Sequence, residues 1–156
     1  MTQPARSKAR SAARLAAVQA LYQQHMEGTA LTRLLDEFHQ HRLGRTIDED
    51  AFDEAEYADA EVPFFDDIVR GVDARRDEID ALVAAKLAAG WSLTRLDKAM
   101  LQVLRAGTYE LLARADIPVA VAISEYVDVA KAFFDDGQAK FVNGILDAVA
   151  KDARPV

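Results

Sequence analysis

The chain has 156 residues, 51% hydrophobic and 29% charged, a composition typical of a single globular domain. It contains no cysteine, which excludes disulfides, thiolate metal sites and a cysteine nucleophile. No apolar run approaches the ~20 residues of a membrane-spanning helix, and the N-terminal apolar pattern is too interrupted for a secretory signal. We therefore expect a cytoplasmic protein without a membrane role.

Charge is distributed unevenly along the chain. The net charge is −7, but residues 1–26 contain four basic residues and no acid, whereas residues 48–67 contain ten acids and no base. Most of the surface is therefore expected to repel an anionic ligand, and the N-terminal end is expected to accept one.

The first predicted elements are a short arm and two helices. Residues 1–7 are polar and predict a flexible basic arm. Apolar residues then recur at three- and four-residue steps, which predicts helices over about 8–27 and 30–42.

Residues 43–61 interrupt this pattern. They are dense in acid and have no clear period over most of their length, so they predict an acidic loop or an insertion. Pro63 is then expected in the first turn of a long helix, where proline is tolerated. That helix is predicted to reach about Ala89, with a bend near Gly71.

Three more helices are predicted in the C-terminal part, over about 97–114, 118–134 and 138–151. The first is the most apolar, so we expect it to be central. Its outward stripe is predicted to consist of Lys98, Gln102, Arg105 and Tyr109. The buried face of the second is predicted to include Phe133. Gly144, in the middle of the third, predicts a close approach between helices.

The sequence contains no phosphate-binding glycine loop, nucleophile elbow or zinc-binding helix motif. His39 and His41 are two residues apart, which places them on nearly opposite faces of a helix. We therefore predict no catalytic residue, no metal site and no cofactor, and the chain is not expected to be an enzyme.

The most specific chemical pattern is a basic row of Arg6, Arg10 and Arg14, spaced by four so that they share one helix face. Tyr22 stands two further four-residue steps along. Guanidinium groups bind phosphates through forked hydrogen bonds, and a tyrosine can stack on an unpaired base. The pattern is equally compatible with a solubilising face above a core tyrosine.

A second basic and aromatic pair, Lys140 and Phe141, stands at the start of the last helix. We call this pair the C-terminal corner. It could serve an RNA surface, or Phe141 could be a core anchor beside a solvated lysine. The residues alone leave both readings open.

Five segments carry a resemblance to a known family. They are RLAAVQALY (14–22), FFDDIVRGV (64–72), WSLTRLDKAMLQVLRAGTYELL (91–112), DIPVAVAISEYVDVAKAF (116–133) and KFVNGILD (140–147). In this order they resemble the bacterial transcription antitermination factor family NusB, over most of the chain outside the acidic segment.

The resemblance implies an all-α fold, a compact single domain over residues 1–156 with about seven helices in two small helical bundles packed together. It also implies a non-enzymatic RNA-binding function. Members bind the boxA RNA of ribosomal RNA leaders together with the small-subunit ribosomal protein called NusE. The complex makes RNA polymerase resist termination.

Site residues follow from the resemblance by position. The RNA-binding residues would be Arg6, Lys8, Arg10, Arg14, Tyr22, Lys140 and Phe141. The partner-binding surface would lie around the start of the central helix, at Asp97. Leu101 in the same helix is a further partner-binding candidate, from its place near the polar stripe.

Two alternatives remain at this point. One is a helical protein-interaction module or dimeric scaffold with no RNA role, and a homodimer is possible. The other is a NusB-like module related to RNA methyltransferases, although the sequence has no glycine-rich cofactor motif.

Overall fold

The computed structural model describes residues 3–43 and 52–155, with side chains for residues 8–40 and 62–155. Every regular element in this part is helical, which confirms the all-α prediction. The α-helices are α1 Gln3–Glu27, α2 Leu31–Glu37, α3 Phe52–Ala74, α4 Arg76–Ala84, α5 Lys98–Ala113, α6 Val119–Phe133 and α7 Asp136–Ala153. A π-helical turn, Phe38–Leu43, continues α2, and a 3-10 turn, Leu93–Arg95, precedes α5.

The chain divides into two compact units, Met1–Arg70 and Gly71–Val156. This division agrees with the expectation of two small helical bundles. That the units form the single domain predicted for residues 1–156 stays a prediction.

In the first unit, the π-helical turn is fixed to α3 by ring packing and a polar contact. Phe38 stacks on Phe65 with ring centroids 5.5 Å apart. The carboxylate of Asp66 pairs with Nε2 of His39 at 2.6 Å. Because Phe38 and Phe65 are fully buried, this contact belongs to the core of the unit.

In the second unit, α5 is central, as predicted, and every residue from 101 to 111 is buried. Helices α6 and α7 pack on α5 and on each other. Gly107 permits this packing, since a Cβ there would lie 2.8 Å from Cδ1 of Leu146. Asp97 caps α5 by accepting hydrogen bonds from the amides of Ala99 and Met100.

One arginine connects the end of α7 to the end of α5. The guanidinium of Arg154 donates to the backbone carbonyls of Glu110, Leu111, Arg114 and Ile117, at 2.6 to 3.1 Å. The last carbonyls of a helix lack a full set of helical donors. Arg154 therefore supplies charged donors to the C-terminus of α5 and to the turn that follows it.

Four residues of α5 were predicted to face solvent, and only Lys98 among them is not buried, so the prediction is wrong for the other three. Gln102 is 1% exposed, and Arg105 and Tyr109 are each 7% exposed. Arg105 is buried as half of an ion pair, with its Nε 2.8 Å and its Nη2 2.9 Å from the two oxygens of Asp80. Tyr109 covers Gly71, where a Cβ would overlap the phenol ring.

The acidic segment is more helical than predicted. Because α3 begins at Phe52, the prediction of a loop over 43–61 is wrong for residues 52–61, and residues 44–51 lie outside the described part. Alanine and glutamate favour helices, and acids near a helix N-terminus interact favourably with its dipole. Pro63 therefore stands inside α3, and its expected place in the first turn is also wrong.

Two helix boundaries also differ from the prediction. Helix α1 begins at Gln3, so most of the predicted arm is helical backbone. The break in the long helix falls at Arg75, with φ −114° and ψ 24°, rather than at Gly71. There Arg75 donates two hydrogen bonds to Glu78, and this contact lowers the pKa of the Glu78 carboxyl and raises the pKa of Arg75.

Two expectations about the C-terminal helices are wrong. A Cβ at Gly144 would meet no atom of the described residues within 4 Å, so none of their helices approaches closely there. Phe133, predicted on the buried face of α6, is 40% exposed, and its ring centroid lies 6.2 Å from that of Phe134 at an interplanar angle of 50°. Phe133 is the last residue of α6, where the chain leaves the core for the turn to α7.

Candidate RNA-binding and partner-binding surfaces

The basic residues of α1 differ in their exposure. Lys8 is exposed, Arg10 is half-buried and Arg14 is only 2% exposed. The side chain of Arg6 lies outside the described residues. Since each residue turns a helix by about 100°, steps of four drift by about 40°. The next residue in the row, Val18, is fully buried, so the row turns from the surface into the core.

Phe64 holds the two described arginines of the row. The guanidinium carbons of Arg10 and Arg14 lie 4.8 and 5.0 Å from the centroid of its ring. Phe64 is 4% exposed, so these cation–π contacts form at the edge of the core. Arg14 is thus engaged within its own unit, and its contact with RNA stays a prediction.

Tyr22 lies on another face of α1. It is 40% exposed, and Met26 one turn later is 55% exposed. Tyr22 does not continue the row of Arg10 and Arg14, because the row passes through buried Val18. Helical spacing instead places Tyr22 and Met26 on the same face as exposed Lys8. The core reading of Tyr22 is wrong, and the surface reading remains.

The C-terminal corner is exposed. Asp135 caps α7, with its Oδ1 accepting a hydrogen bond from the amide of Gln138 at 3.0 Å. This cap fixes the start of α7, and the following turn presents Lys140 and Phe141 to solvent, with Phe141 39% exposed. Phe141 is therefore not a core anchor, and a ligand can reach its ring.

Phe141 opens onto a groove within the second unit. The groove has a volume of about 300 Å³, and Trp91, Leu96, Asp97 and Met100 also line it. The sequence patterns assign no site role to Trp91, which stands between two predicted helices. The available signal was that Trp91 is the single tryptophan of the chain and directly follows Gly90, whose φ of +86° suits glycine.

The two predicted partner residues differ sharply. Asp97 is exposed and lines the groove beside Phe141. Leu101, one turn later, is 3% exposed and belongs to the core of the second unit. A partner can therefore reach Asp97, while Leu101 supports that surface from beneath. Their roles in partner binding stay predictions.

Metal-binding clusters and membrane-spanning helices are both absent from the described residues. No group of three or more His, Asp or Glu side chains that could hold a metal ion occurs among the described residues. Within the same part of the chain, none of the helices combines the length and apolar character needed to cross a membrane.

Comparison with known proteins gives consistent matches. A family model described as the NusB family matches residues 11–151. Transcription antitermination protein NusB of Novosphingobium aromaticivorans is 67% identical over 147 residues, covering 94% of this chain and 96% of that protein. The structure of T. maritima NusB matches with a TM-score of 0.73 at 35% identity, over 99% of this chain and 96% of that one.

A further match is a chain from the crystal structure of antitermination factors NusB and NusE in complex with dsRNA. Its TM-score is 0.72 at 26% identity, and the match covers 93% of this chain and 98% of that chain.

Proposed function

The chain belongs to the NusB family, and on that premise we propose that it is a non-enzymatic transcription antitermination factor. It binds the boxA RNA of ribosomal RNA leaders together with the ribosomal protein NusE, and the complex helps RNA polymerase resist termination. It acts in the cytoplasm. The observation that carries the proposal is 67% identity to a transcription antitermination protein over nearly the full length of both chains.

The exposed basic and aromatic residues support the RNA role. Lys8 and Tyr22 share the exposed face of α1, and Lys140 and Phe141 are exposed on the first turns of α7. Lysines attract phosphates, and aromatic rings stack on unpaired bases. We assign direct RNA contact to these four residues.

The arginines of α1 have a different role in this proposal. Arg10 is half-buried and can reach a phosphate while its guanidinium lies against Phe64. Arg14 is buried over the same ring, so it acts by holding α1 in position. Asp97 is the exposed acid through which NusE would be recognised.

Binding of fluorescently labelled boxA RNA tests the proposal. If about four cations meet phosphates, log K should fall with log salt at a slope near −3 for a single strand. NusE should tighten binding, and Lys8→Ala combined with Lys140→Ala should weaken it. Lys131→Ala, which removes an exposed lysine of α6, is the matched control and should bind normally.

The opposite results would reject the RNA role. They are binding that is insensitive to salt, or no binding to boxA RNA in the presence of NusE. The scaffold and methyltransferase-module alternatives are not favoured, because the relative at 67% identity is an antitermination protein that is matched over 96% of its length. Native mass spectrometry of the protein alone measures self-association directly.

A further inference from the structure

The groove beside Phe141 is unusual because two large aromatic side chains line it at the surface. Trp91 is 56% exposed and Phe141 is 39% exposed, whereas Leu96 and Met100 are buried beneath them. Exposed apolar clusters of this kind commonly mark binding sites. In the sequence these two aromatics are 50 residues apart, and the second unit brings them to one groove.

The size of the groove limits its occupant. Its volume of about 300 Å³ is at the lower end of the ~300–1,000 Å³ of small-ligand sites. It can therefore take one planar group or one side chain, and it is too small for a helix.

The charges at the rim favour an anionic chain. The guanidinium carbon of Arg95 lies 5.4 Å from the centroid of the Trp91 ring, and its Nη1 donates to the carbonyl of Gly90 at 2.6 Å. A cation is thus held in place beside the tryptophan. Lys140, which is exposed, is the neighbour of Phe141 in α7.

Asp97 also lines the groove, but its negative charge offsets the positive charge of Arg95 only in part. Oδ1 of Asp97 accepts hydrogen bonds from the amides of Ala99 and Met100, at 2.8 and 3.2 Å. Its negative charge is therefore partly compensated by the N-terminal dipole of α5.

We propose that this groove receives one unpaired RNA base, which stacks on the aromatic wall formed by Trp91 and Phe141, with the adjoining phosphate against Arg95. The inference rests on the proposed RNA-binding function and adds Trp91 and Arg95 to its site. A base has both ring faces free only in a single strand. The groove therefore selects unpaired RNA over duplex.

Trp91 provides a direct probe, because it is the only tryptophan of the chain. Single-stranded boxA RNA is titrated into the full-length protein, while tryptophan emission and the anisotropy of a label on the RNA are recorded together. Stacking should quench the emission with the same midpoint as the anisotropy curve. A duplex of the same sequence should bind with little quenching.

Variants test the energetic role of the ring. Trp91→Ala should weaken single-strand binding about tenfold, while Trp91→Phe keeps a stacking surface and should stay within about threefold of the parent protein. Val121→Ala removes an exposed apolar side chain of α6 and should change nothing. Circular dichroism of each variant confirms folding, and the titration of the parent protein needs no variant.

Each failure has a distinct meaning. RNA binding without any change in Trp91 emission overturns the groove and leaves the proposed function intact. RNA-induced quenching that disappears when NusE is added, while anisotropy shows the RNA still bound, overturns it by showing that NusE and not a base occupies the groove. Absence of RNA binding even with NusE present overturns the proposed function itself.

Discussion

The basic and aromatic residues around Phe64 differ in burial from the pair at the C-terminal corner. In the first unit, Phe64 is buried and has the guanidinium groups of Arg10 and Arg14 over its ring. In the second unit, Phe141 is exposed beside Lys140 at a groove. The same residue types thus stabilise a helix at one place and remain available to a ligand at the other. Phe64 is buried because it lies on the core-facing side of α3, and Phe141 is exposed because it lies on the solvent-facing side of α7.

The largest expected effect is on the buried ring. Phe64→Ala should lower the free energy of unfolding by ~3–5 kcal/mol, because it leaves a cavity and removes the ring beneath two guanidinium groups. Phe141→Ala should cost under ~1 kcal/mol, since much of its ring already contacts water. Urea denaturation measures both, and an equal loss for the two variants would remove the contrast.

Arg14 is expected to have the next largest effect. Arg14→Ala should destabilise the protein by ~2 kcal/mol, because it removes a desolvated cation–π contact and the packing of the stem. Arg14→Met keeps most of the stem and should recover part of the loss. Since Arg14 is assigned a positioning role, the salt slope of RNA binding should not change in either variant. A slope that drops would instead place Arg14 on a phosphate.

Lys8→Ala should show the reverse pattern. Lys8 is exposed, so stability should change by less than ~0.5 kcal/mol. The loss of one phosphate contact should reduce the salt slope for single-stranded RNA by ~0.7. Affinity measured between low and moderate salt supplies the slope, and an unchanged slope would remove Lys8 from the RNA surface.

The smallest expected effect is on the exposed ion pair of Arg75 and Glu78. The contact with Arg75 lowers the pKa of Glu78, so the stability it contributes is present at neutral pH. That stability is lost as pH falls below the ordinary value of about 4.3. Glu78→Gln should therefore lower the melting temperature slightly at pH 7 and not at pH 3. Equal shifts at both values would show that charge is not involved.

Local patterns predicted much of the fold. Asp97 before α5 and Pro118 before α6 are start signals that the chain carries within a few residues, and both helices begin there. The helix over the acidic stretch was harder to predict. Alanine and glutamate favour a helix there, but the charged residues obscure any apolar period. Residues 52–61 were therefore assigned to a loop.

Long-range contacts were not visible in the sequence. Arg105 has the spacing of a surface residue, and its partner Asp80 lies 25 residues away on another helix. The four-residue spacing predicted Arg14 on the same exposed face as Arg6 and Arg10, and its ring partner Phe64 belongs to α3. At the candidate site, the basic neighbour of Phe141 and the family resemblance both pointed to this residue, whereas Trp91 needed the folded second unit to bring it to the same groove.

The hydrogen bonds that Arg154 donates to the end of α5 affect the order of folding during synthesis. The carbonyls that Arg154 binds lie 37 to 44 residues earlier in the chain. As the chain emerges from the ribosome, α5 is made first, and its C-terminus receives these charged donors only when residue 154 appears. The second unit should therefore reach full stability only after residue 154 has emerged, and a nascent chain stopped before Arg154 should be more sensitive to protease.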